Sequence, residues 1–240
     1  MPRVDKKDLL FDGRTKKLYR SEKTDLLMQE FKDQVETKEG QRSRIAERGS
    51  INNEISSYLF EYLEGFHLPT HFIRKVSPTE MAVKNSEPIA LEFLVRNCVS
   101  AQFAKRFGMR EGQDLPTPVI ELYYVQDELH RPMLNEFHVY VLSIASPDEL
   151  RIMNRIASKA NAVLRSLFER RGLKLVEFTL RFARYKGQLI ISDEITPETF
   201  RVWNYEHHKL DKERFRISGS DGREVYEELR NRIIKGVFAE

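Results

Sequence analysis

The stretch of residues 173–203, LKLVEFTLRFARYKGQLIISDEITPETFRVW, decides how the rest of the chain is interpreted. Its first half alternates with period 2, with apolar side chains on one side (Val176, Phe178, Leu180 and Phe182) and an acid, a hydroxyl and a cation on the other (Glu177, Thr179 and Arg181). Because successive side chains of a strand point to opposite faces, this pattern predicts a strand that buries one face and presents polar groups on the other. A solvated outer face would give the same pattern. The polar residues that follow around a Thr-Pro turn favour a converging cluster instead: Asp193, Glu194 and Arg201.

The composition indicates a soluble protein of one large domain or two lobes around a shared core. The 240 residues include 40 basic and 37 acidic side chains, which give a net charge of +3. These charges are well mixed, so they disfavour a nucleic-acid-binding protein but permit a cationic pocket for a phosphorylated small molecule. No apolar run approaches the ~18 residues of a membrane-spanning helix, and the first residues lack the apolar core of a secretory signal. The single cysteine, Cys98, fits a reducing cytosol, so we expect a cytoplasmic protein.

Strands and helices alternate irregularly along the chain. Strands are predicted at 9–11, 17–19, 26–31, 70–76, 80–84 and 88–96, with a strand pair around 185–187. Helices are predicted at 51–65 with Ser50 as the cap, at 98–107, at 222–234, and from a capping box between Ser146 and Glu149 up to Gly172. The polar residues 34–49 predict a mobile loop. The lack of regular βαβ alternation predicts an α+β fold, with a small antiparallel-β N-terminal lobe (1–86), a larger α+β C-terminal lobe (87–240) and a cleft between them.

A series of short motifs runs through the chain in order. They are DGRTKKLY (12–19), NN (52–53), FEYL (60–63), LPTHF (68–72), LEFLVRN (91–97), AKRFG (104–108), NE (135–136), SDEITP (192–197), RVW (201–203) and DKERFR (211–216). Each motif is short, but together they span nearly the whole chain. In number and order they resemble the SAICAR synthetase (phosphoribosylaminoimidazole-succinocarboxamide synthase) family.

The resemblance implies an ATP-dependent ligase of purine biosynthesis. Members of this family use ATP and Mg²⁺ to join aspartate to a carboxylated, phosphorylated aminoimidazole ribotide. ATP first activates the ribotide carboxylate as an acyl phosphate, and the aspartate amine then attacks to form the amide. This chemistry needs cations for the phosphates, carboxylates for the metal and a closed site that excludes water. The resemblance also implies a nucleotide-binding N-terminal lobe and a homo-oligomer.

The resemblance assigns roles to individual residues. ATP contacts are expected of Arg14, Lys16 and Lys84, although a solvated hairpin or a plain surface lysine would use the same side chains. The residues expected to bind substrate are charged: Glu92, Arg96, Glu177, Arg201 and Lys212. Those expected to take part in catalysis are Arg96, Asp193 and Arg201, with Asp193 also holding the metal.

Simpler roles are open for several of these residues. Glu92 and Arg96 share a strand face and could neutralise each other as a partly buried pair. Asp193 could cap a turn ahead of the Thr-Pro dipeptide, which is a common structural use of aspartate. Glu194 is expected to face away from the cluster.

The sequence departs from the family pattern at positions where the chemistry is expected. Thr179 stands where the family has a lysine, and Arg181 stands where it has a second metal-binding carboxylate. A cation at Arg181 would oppose Mg²⁺ and could pair instead with Asp193 or Glu177. The other departures are Glu54, Ala101-Gln102, Arg131-Pro132, Asn204 and the early loop at 36–40. Two hypotheses follow: a ligase of this type or a close variant of it, and a catalytically impaired paralogue that keeps a nucleotide- or ribotide-binding pocket.

Overall fold

The computed structural model describes residues 6–36, 42–204 and 222–236. Its strands are β1 (Lys6–Asp12), β2 (Lys16–Ser21), β3 (Leu26–Phe31), β4 (Gln34–Glu36), β5 (Arg42–Arg44), β6 (Phe72–Lys75), β7 (Glu80–Lys84), β8 (Glu87–Cys98), β9 (Asp114–Tyr124), β10 (Met133–Leu134), β11 (Leu173–Tyr185), β12 (Gln188–Ser192) and β13 (Phe200–Asn204). Its α-helices are α1 (Arg48–Gly65), α2 (Ala101–Phe107), α3 (Glu136–Val141), α4 (Pro147–Glu169) and α5 (Gly222–Arg230), which continues into a π-helical turn (Asn231–Lys235). Of the helices in these ranges, none is both long enough and apolar enough to cross a bilayer.

Two antiparallel sheets form the frame of the described chain. The first has the strand order β1-β2-β3-β7-β6, and the second has the order β10-β9-β8-β11-β12. β13 pairs with the first half of β11 along the same edge where β12 pairs with the second half. A parallel bridge between Thr70 and Ile191 joins the approach to β6 to strand β12. Antiparallel sheets with helices packed against them confirm the α+β class.

The apolar face of β11 lies in a core that both sheets share. Phe178, Leu180 and Phe182 are at most 2% exposed and belong to the same apolar cluster as Leu59 of α1 and Leu164 of α4. Each such buried side chain contributes ~1.5–3 kcal/mol to folding. Because this core is continuous from one sheet to the other, the division of the chain at residue 86 stays a prediction.

Helix α4 begins as the sequence predicts. The Oγ of Ser146 accepts a hydrogen bond from the main-chain N–H of Glu149 at 3.2 Å, and the Glu149 side chain accepts one from the N–H of Ser146 at 2.8 Å. Pro147 occupies the first turn, where its missing N–H costs nothing. The helix packs on β11 and shares a core with its apolar face, on the side of the strand opposite the polar residues.

The start of α1 differs from the prediction. Ser50 lies inside the helix, which begins at Arg48. The cap comes from elsewhere in the chain, because Oδ1 of Asp33 accepts a hydrogen bond from the N–H of Gly49 at 3.0 Å. The buried guanidinium of Arg48 also donates to the main-chain carbonyls of Lys32 and Gln34. Tertiary contacts therefore start the helix earlier than the local sequence indicates.

Other element boundaries also shift. Residues 34–49, predicted as a loop, include the paired strands β4 and β5 and the start of α1, with 37–41 outside the described residues. α2 begins at Ala101 rather than at residue 98, because β8 continues to Cys98 and pairs there with Asp114. β9 was not predicted, and Pro116 and Pro118 explain why, since proline disfavours a strand assignment.

Candidate active site

The polar face of β11 lies opposite charged residues of its neighbouring strands. Glu177 is directly across from Arg96 of β8 on one side and from Arg201 of β13 on the other. Arg181 is directly across from Glu92 of β8. Side chains at such positions have Cβ atoms ~4.5–5.5 Å apart, so the register alone brings opposite charges together. The charges form two groups, one around Arg96 and one around Asp193.

The first group, the Arg96 cluster, consists of Arg96, Glu121, Glu177 and Arg201. The Arg96 side chain is 1% exposed, its Nε donates to Oε2 of Glu121 at 2.9 Å, and its Nη1 donates to Oγ of Ser100 at 3.0 Å. Nη1 also pairs with Oε2 of Glu177, whose Oε1 lies 3.5 Å from Nε of Arg201. Burial opposes the charge of Arg96, but the two carboxylates outweigh it and raise its pKa. Arg96 is therefore a charged, buried side chain that two carboxylates hold in place.

The expected pair between Glu92 and Arg96 is wrong. The two residues share a face of β8, but at ~3.3 Å per residue they are ~13 Å apart along the strand. Arg96 finds its partners across the sheet, in β9 and β11. Glu121 was not among the predicted site residues, and the signal that could have identified it is a lone acid within the apolar run 119–124.

The second group, the Asp193 cluster, consists of Lys16, Glu92, Arg181, Asp193 and Glu194. Nζ of Lys16 donates to Oε1 of Glu194 at 2.9 Å and also pairs with Oδ1 of Asp193. Nε of Arg181 lies 3.1 Å from Oδ2 of Asp193 and 3.4 Å from Oε2 of Glu92. One carboxylate, that of Asp193, thus bridges two cations from different sheets.

Glu194 does not face away, contrary to the prediction. It is 6% exposed and accepts a hydrogen bond from Oγ1 of Thr15 at 2.5 Å in addition to the one from Lys16. Asp193 has a φ of 74°, in the left-handed region, so the chain does not continue as a regular strand at this point. As a result, two consecutive side chains both reach Lys16.

The pairing expected of Arg181 with Asp193 is confirmed, whereas the alternative partner, Glu177, belongs to the Arg96 cluster. Arg131, another of the departures from the family pattern, contacts the same acid as Arg181, which is Glu92. Nη1 of Arg131 lies 3.7 Å from Oε2 of Glu92. The two unexpected arginines therefore lie together at one end of the polar face.

Charge pairing and burial set the protonation states in the Asp193 cluster. Burial opposes the charge of Lys16, but the carboxylates of Asp193 and Glu194 raise its pKa to about 12. Burial would raise the pKa of Asp193, but the charges of Lys16 and Arg181 outweigh it and lower that pKa. Burial raises the pKa of Glu194. Burial also lowers the pKa of the nearby His71 to about 3, so its imidazole is neutral near pH 7.

The remaining predicted residues lie at the margin of the site or outside the described chain. Arg14 is exposed in the turn between β1 and β2. Nζ of Lys84 donates to the main-chain carbonyl of Thr70 at 2.6 Å, and its charge contributes to lowering the pKa of His71. Lys212 lies outside the described residues, and its role stays a prediction.

A cavity of about 990 Å³ lies apart from both clusters, between α4 and the turn that joins β11 to β12. Its charged lining residues are Glu64, Glu149, Arg155, Lys159 and Arg184. None of them belongs to either cluster, and Nε of Arg184 already donates to Oε1 of Glu149 at 2.5 Å. The cavity therefore gives no reason to move the candidate site away from the polar face.

An Mg²⁺ ion held by the protein does not fit the described residues. Both carboxylate oxygens of Asp193 contact cations, Lys16 at Oδ1 and Arg181 at Oδ2. Across 6–36, 42–204 and 222–236, no group of three or more His, Cys, Asp or Glu side chains is arranged to hold a metal ion. An ion of charge +2 at ~4 Å from a guanidinium would be repelled by about 8 kcal/mol at an effective dielectric of ~20. Asp193 as a metal ligand stays a prediction, and the geometry opposes it.

The similarity to known proteins extends over nearly the whole chain. A sequence model of the SAICAR synthetase family matches residues 9–233. The phosphoribosylaminoimidazole-succinocarboxamide synthase of Chloroherpeton thalassium is 40% identical over 233 residues, which cover 96% of this chain and 99% of that relative. The crystal structure of the same enzyme from Ehrlichia chaffeensis is 32% identical, with a TM-score of 0.88 over 94% of this chain and 98% of that one. A SAICAR synthetase solved in complex with ADP is 36% identical, with a TM-score of 0.88 over 97% and 100% of the two chains.

Proposed function

The chain belongs to the SAICAR synthetase family, and from this premise we propose that it is an ATP-dependent amide ligase of that type. It joins aspartate to carboxyaminoimidazole ribotide in de novo purine biosynthesis, or catalyses a close variant of that reaction. The observation that carries the proposal is the polar face of β11, which places cations at two separate ends. The reaction needs such a division, because the nucleotide phosphates and the substrate oxyanions must bind at once.

We assign the nucleotide to the end that carries the Asp193 cluster. Lys16 supplies a buried ammonium there, and Arg14 and Lys84 supply further charge at its margin. Cations at this end stabilise the negative charge that shifts onto the phosphates as an acyl phosphate forms. The solved relative that contains ADP supports a nucleotide as the ligand.

We assign the substrate carboxylates and the ribotide phosphate to the end that carries the Arg96 cluster. The Arg201 side chain is 52% exposed and contacts Glu177 through Nε, which leaves its terminal nitrogens for an oxyanion. Arg96 adds a second, buried positive charge behind Glu177. Glu177 binds the amino group of aspartate, and its carboxylate can accept the proton that leaves as the amide forms. Glu92 and Lys212 complete the proposed substrate contacts.

Mg²⁺ enters this scheme as part of the nucleotide substrate. Mg²⁺ commonly binds through phosphate oxygens and water with one carboxylate or few, so the triphosphate itself can carry the ion into the site. A cytoplasmic location is proposed on the basis of Cys98, a buried thiol without a disulfide. A homo-oligomer is proposed from the family resemblance alone.

A second candidate is a catalytically impaired paralogue that keeps the nucleotide or ribotide pocket. The observation that favours it is the ion pair of Arg181 with Asp193, which occupies the carboxylate that the family resemblance assigns to the metal. The two candidates differ in turnover, and so a rate measurement separates them.

The test is ADP release from ATP and Mg²⁺ in the presence of aspartate and carboxyaminoimidazole ribotide. The native chain should release ADP only when all substrates are present. Arg201→Gln should lower kcat/KM for the ribotide by roughly tenfold to a hundredfold, the loss expected for one charge-assisted hydrogen bond. The matched control is Arg151→Gln, an exposed arginine of α4.

One specific outcome would favour the impaired paralogue over the ligase. The native chain would be silent, while the double variant Arg181→Glu, Thr179→Lys, which restores the family residues, would release ADP. ADP release by the native chain excludes the paralogue.

A further inference from the structure

Arg181 is held in place through one of its three nitrogens. Its Nε contacts both Asp193 and Glu92, at 3.1 Å and 3.4 Å. Neither Nη1 nor Nη2 forms a hydrogen bond with another residue in the part of the chain that the structure describes. Four of the five N–H donors of a guanidinium belong to these terminal nitrogens. The side chain is 26% exposed, so part of it is accessible to a ligand.

Further cations lie close to Arg181, next to the carboxylates that hold them, and Arg131 also pairs with Asp127 at 2.6 Å. Arg131 reaches the same carboxylate oxygen of Glu92 at 3.7 Å, and Lys16 holds the other oxygen of Asp193. The pKa of Asp127 is lowered mainly by its hydrogen bond with Arg131, and the charges of Arg14 and Arg181 also contribute, so both of these arginines lie near that carboxyl group. A fixed guanidinium with free terminal nitrogens matches the paired oxygens of a phosphate group.

We propose that Arg181 binds oxygens of the nucleotide's β-phosphate, at the position where the family resemblance implies a metal-binding carboxylate. Asp193 and Glu92 are positioning residues, since they fix the guanidinium through Nε and leave its other end free. In this arrangement a side-chain cation of the protein replaces a protein-held metal ion. The inference rests on the proposed function, because it takes the nucleotide as the ligand at this end of the polar face.

The experiment measures ADP and AMP binding to the full chain by calorimetry, in excess EDTA and again with Mg²⁺. For the native chain, the dissociation constant of ADP should change less than threefold between EDTA and Mg²⁺. Arg181→Gln should weaken ADP binding in EDTA by roughly tenfold to a hundredfold, as expected for lost charge-assisted hydrogen bonds. AMP, which lacks the β-phosphate, should bind both proteins equally.

Two further variants keep the test decisive. Arg184→Gln is the matched control, because Arg184 lies on the same strand with a similarly exposed side chain but contacts neither cluster, and it should bind ADP as the native chain does. Arg181→Lys keeps the charge beside Asp193 but not the planar fork, so it should lose part of the ADP affinity and retain the native melting temperature.

Three results would overturn the proposal. They are a tenfold loss of native ADP affinity in EDTA, an equal loss of ADP and AMP affinity in Arg181→Gln, and unchanged ADP binding in that variant. Each of these leaves the ligase assignment intact as long as ADP release from the full substrate set is observed. If neither ADP nor ATP binds to the native chain under any condition, the proposed function falls together with this inference.

Discussion

The two ends of one polar sheet face use the same device for different purposes. In the Arg96 cluster, the carboxylate of Glu177 lies between Arg96 and Arg201. In the Asp193 cluster, the carboxylate of Asp193 lies between Lys16 and Arg181. Each acid thus bridges one buried cation and one partly exposed cation. In each cluster the same acid also contacts an arginine through its Nε, Arg201 in the first and Arg181 in the second.

The two clusters differ in whether their arginine is expected from the family resemblance and in how many of its donors are already used. Arg96 is a residue that the family resemblance leads us to expect, and it is fully buried, with donors committed to Glu121, Ser100 and Glu177. Arg181 departs from the family pattern and keeps its terminal nitrogens free of described partners. The first arginine is therefore part of the frame, whereas the second can act on a ligand without being required for folding.

The largest expected effect tests this contrast directly. Arg96→Met leaves Glu121 and Glu177 buried with fewer partners, and we expect a loss of about 3–5 kcal/mol in the free energy of unfolding. Arg181→Met should cost about 1 kcal/mol or less, because the side chain is partly exposed and Asp193 keeps its pair with Lys16. Urea unfolding at pH 7 measures both values. Losses that agree within 1 kcal/mol would remove the distinction between frame and ligand site.

A second prediction concerns His71, next to the Asp193 cluster. Its pKa is lowered to about 3 in the folded chain, against an ordinary value of 6.5, because it is buried. Between these pH values the unfolded chain binds the additional proton, so the free energy of unfolding should fall as the pH is lowered from 6.5 toward 3. The slope should approach ~1.4 kcal/mol per pH unit.

His71→Phe provides the control for this slope. Phenylalanine suits the site, since the imidazole packs edge-on against Phe60 with ring centres 5.0 Å apart. The variant should lose most of the slope between pH 6 and pH 5, measured by urea unfolding at each pH. Identical slopes in both proteins would show that other groups at the cluster, and not the imidazole, govern its acid sensitivity.

The smallest expected effect is the coupling energy between Arg181 and Glu92, the more exposed of the two ion pairs compared. A double-mutant cycle with Arg181→Gln and Glu92→Gln should give a coupling energy of ~0.2–1 kcal/mol, because both side chains are partly solvated. The corresponding cycle with Arg96→Gln and Glu121→Gln should give a larger value, since that pair is buried. Thermal and urea unfolding of each set of four proteins supply the energies. Equal coupling energies in the two cycles would contradict the distinction between a buried Arg96 that supports the fold and a partly solvated Arg181 that does not.

Much of the fold could be predicted because its signals are local. The alternation of residues 177–182 is sufficient to assign the two faces of this part of β11, and the capping box of Ser146 and Glu149 is sufficient to start α4. Val176, predicted on the same face as Phe178, instead packs with Cys98 and Trp203, because a bulge interrupts the strand between Leu175 and Glu177. The start of α1 could not be predicted, because its cap, Asp33, lies 16 residues away from the N–H it binds. Local patterns give no information about such partners.

The candidate site shows the same limit. The residue types on the polar face of β11 and the clash between Arg181 and a metal could be predicted from the sequence. The true partners of Arg96 could not, because they depend on which strands neighbour β8 and in which register. The inward orientation of Glu194 could not be predicted either, since it follows from the left-handed conformation of Asp193.

The sequence by itself determined the class of fold, the family and the unusual cation at position 181. These follow from side-chain periodicity and from the order of motifs, which are properties of the chain alone. Only the tertiary structure decided which carboxylate each cation pairs with and which arginine keeps its donors free. The physical reason is that electrostatic pairing depends on distances of a few ångströms between residues far apart in sequence, and strand register and backbone turns fix those distances.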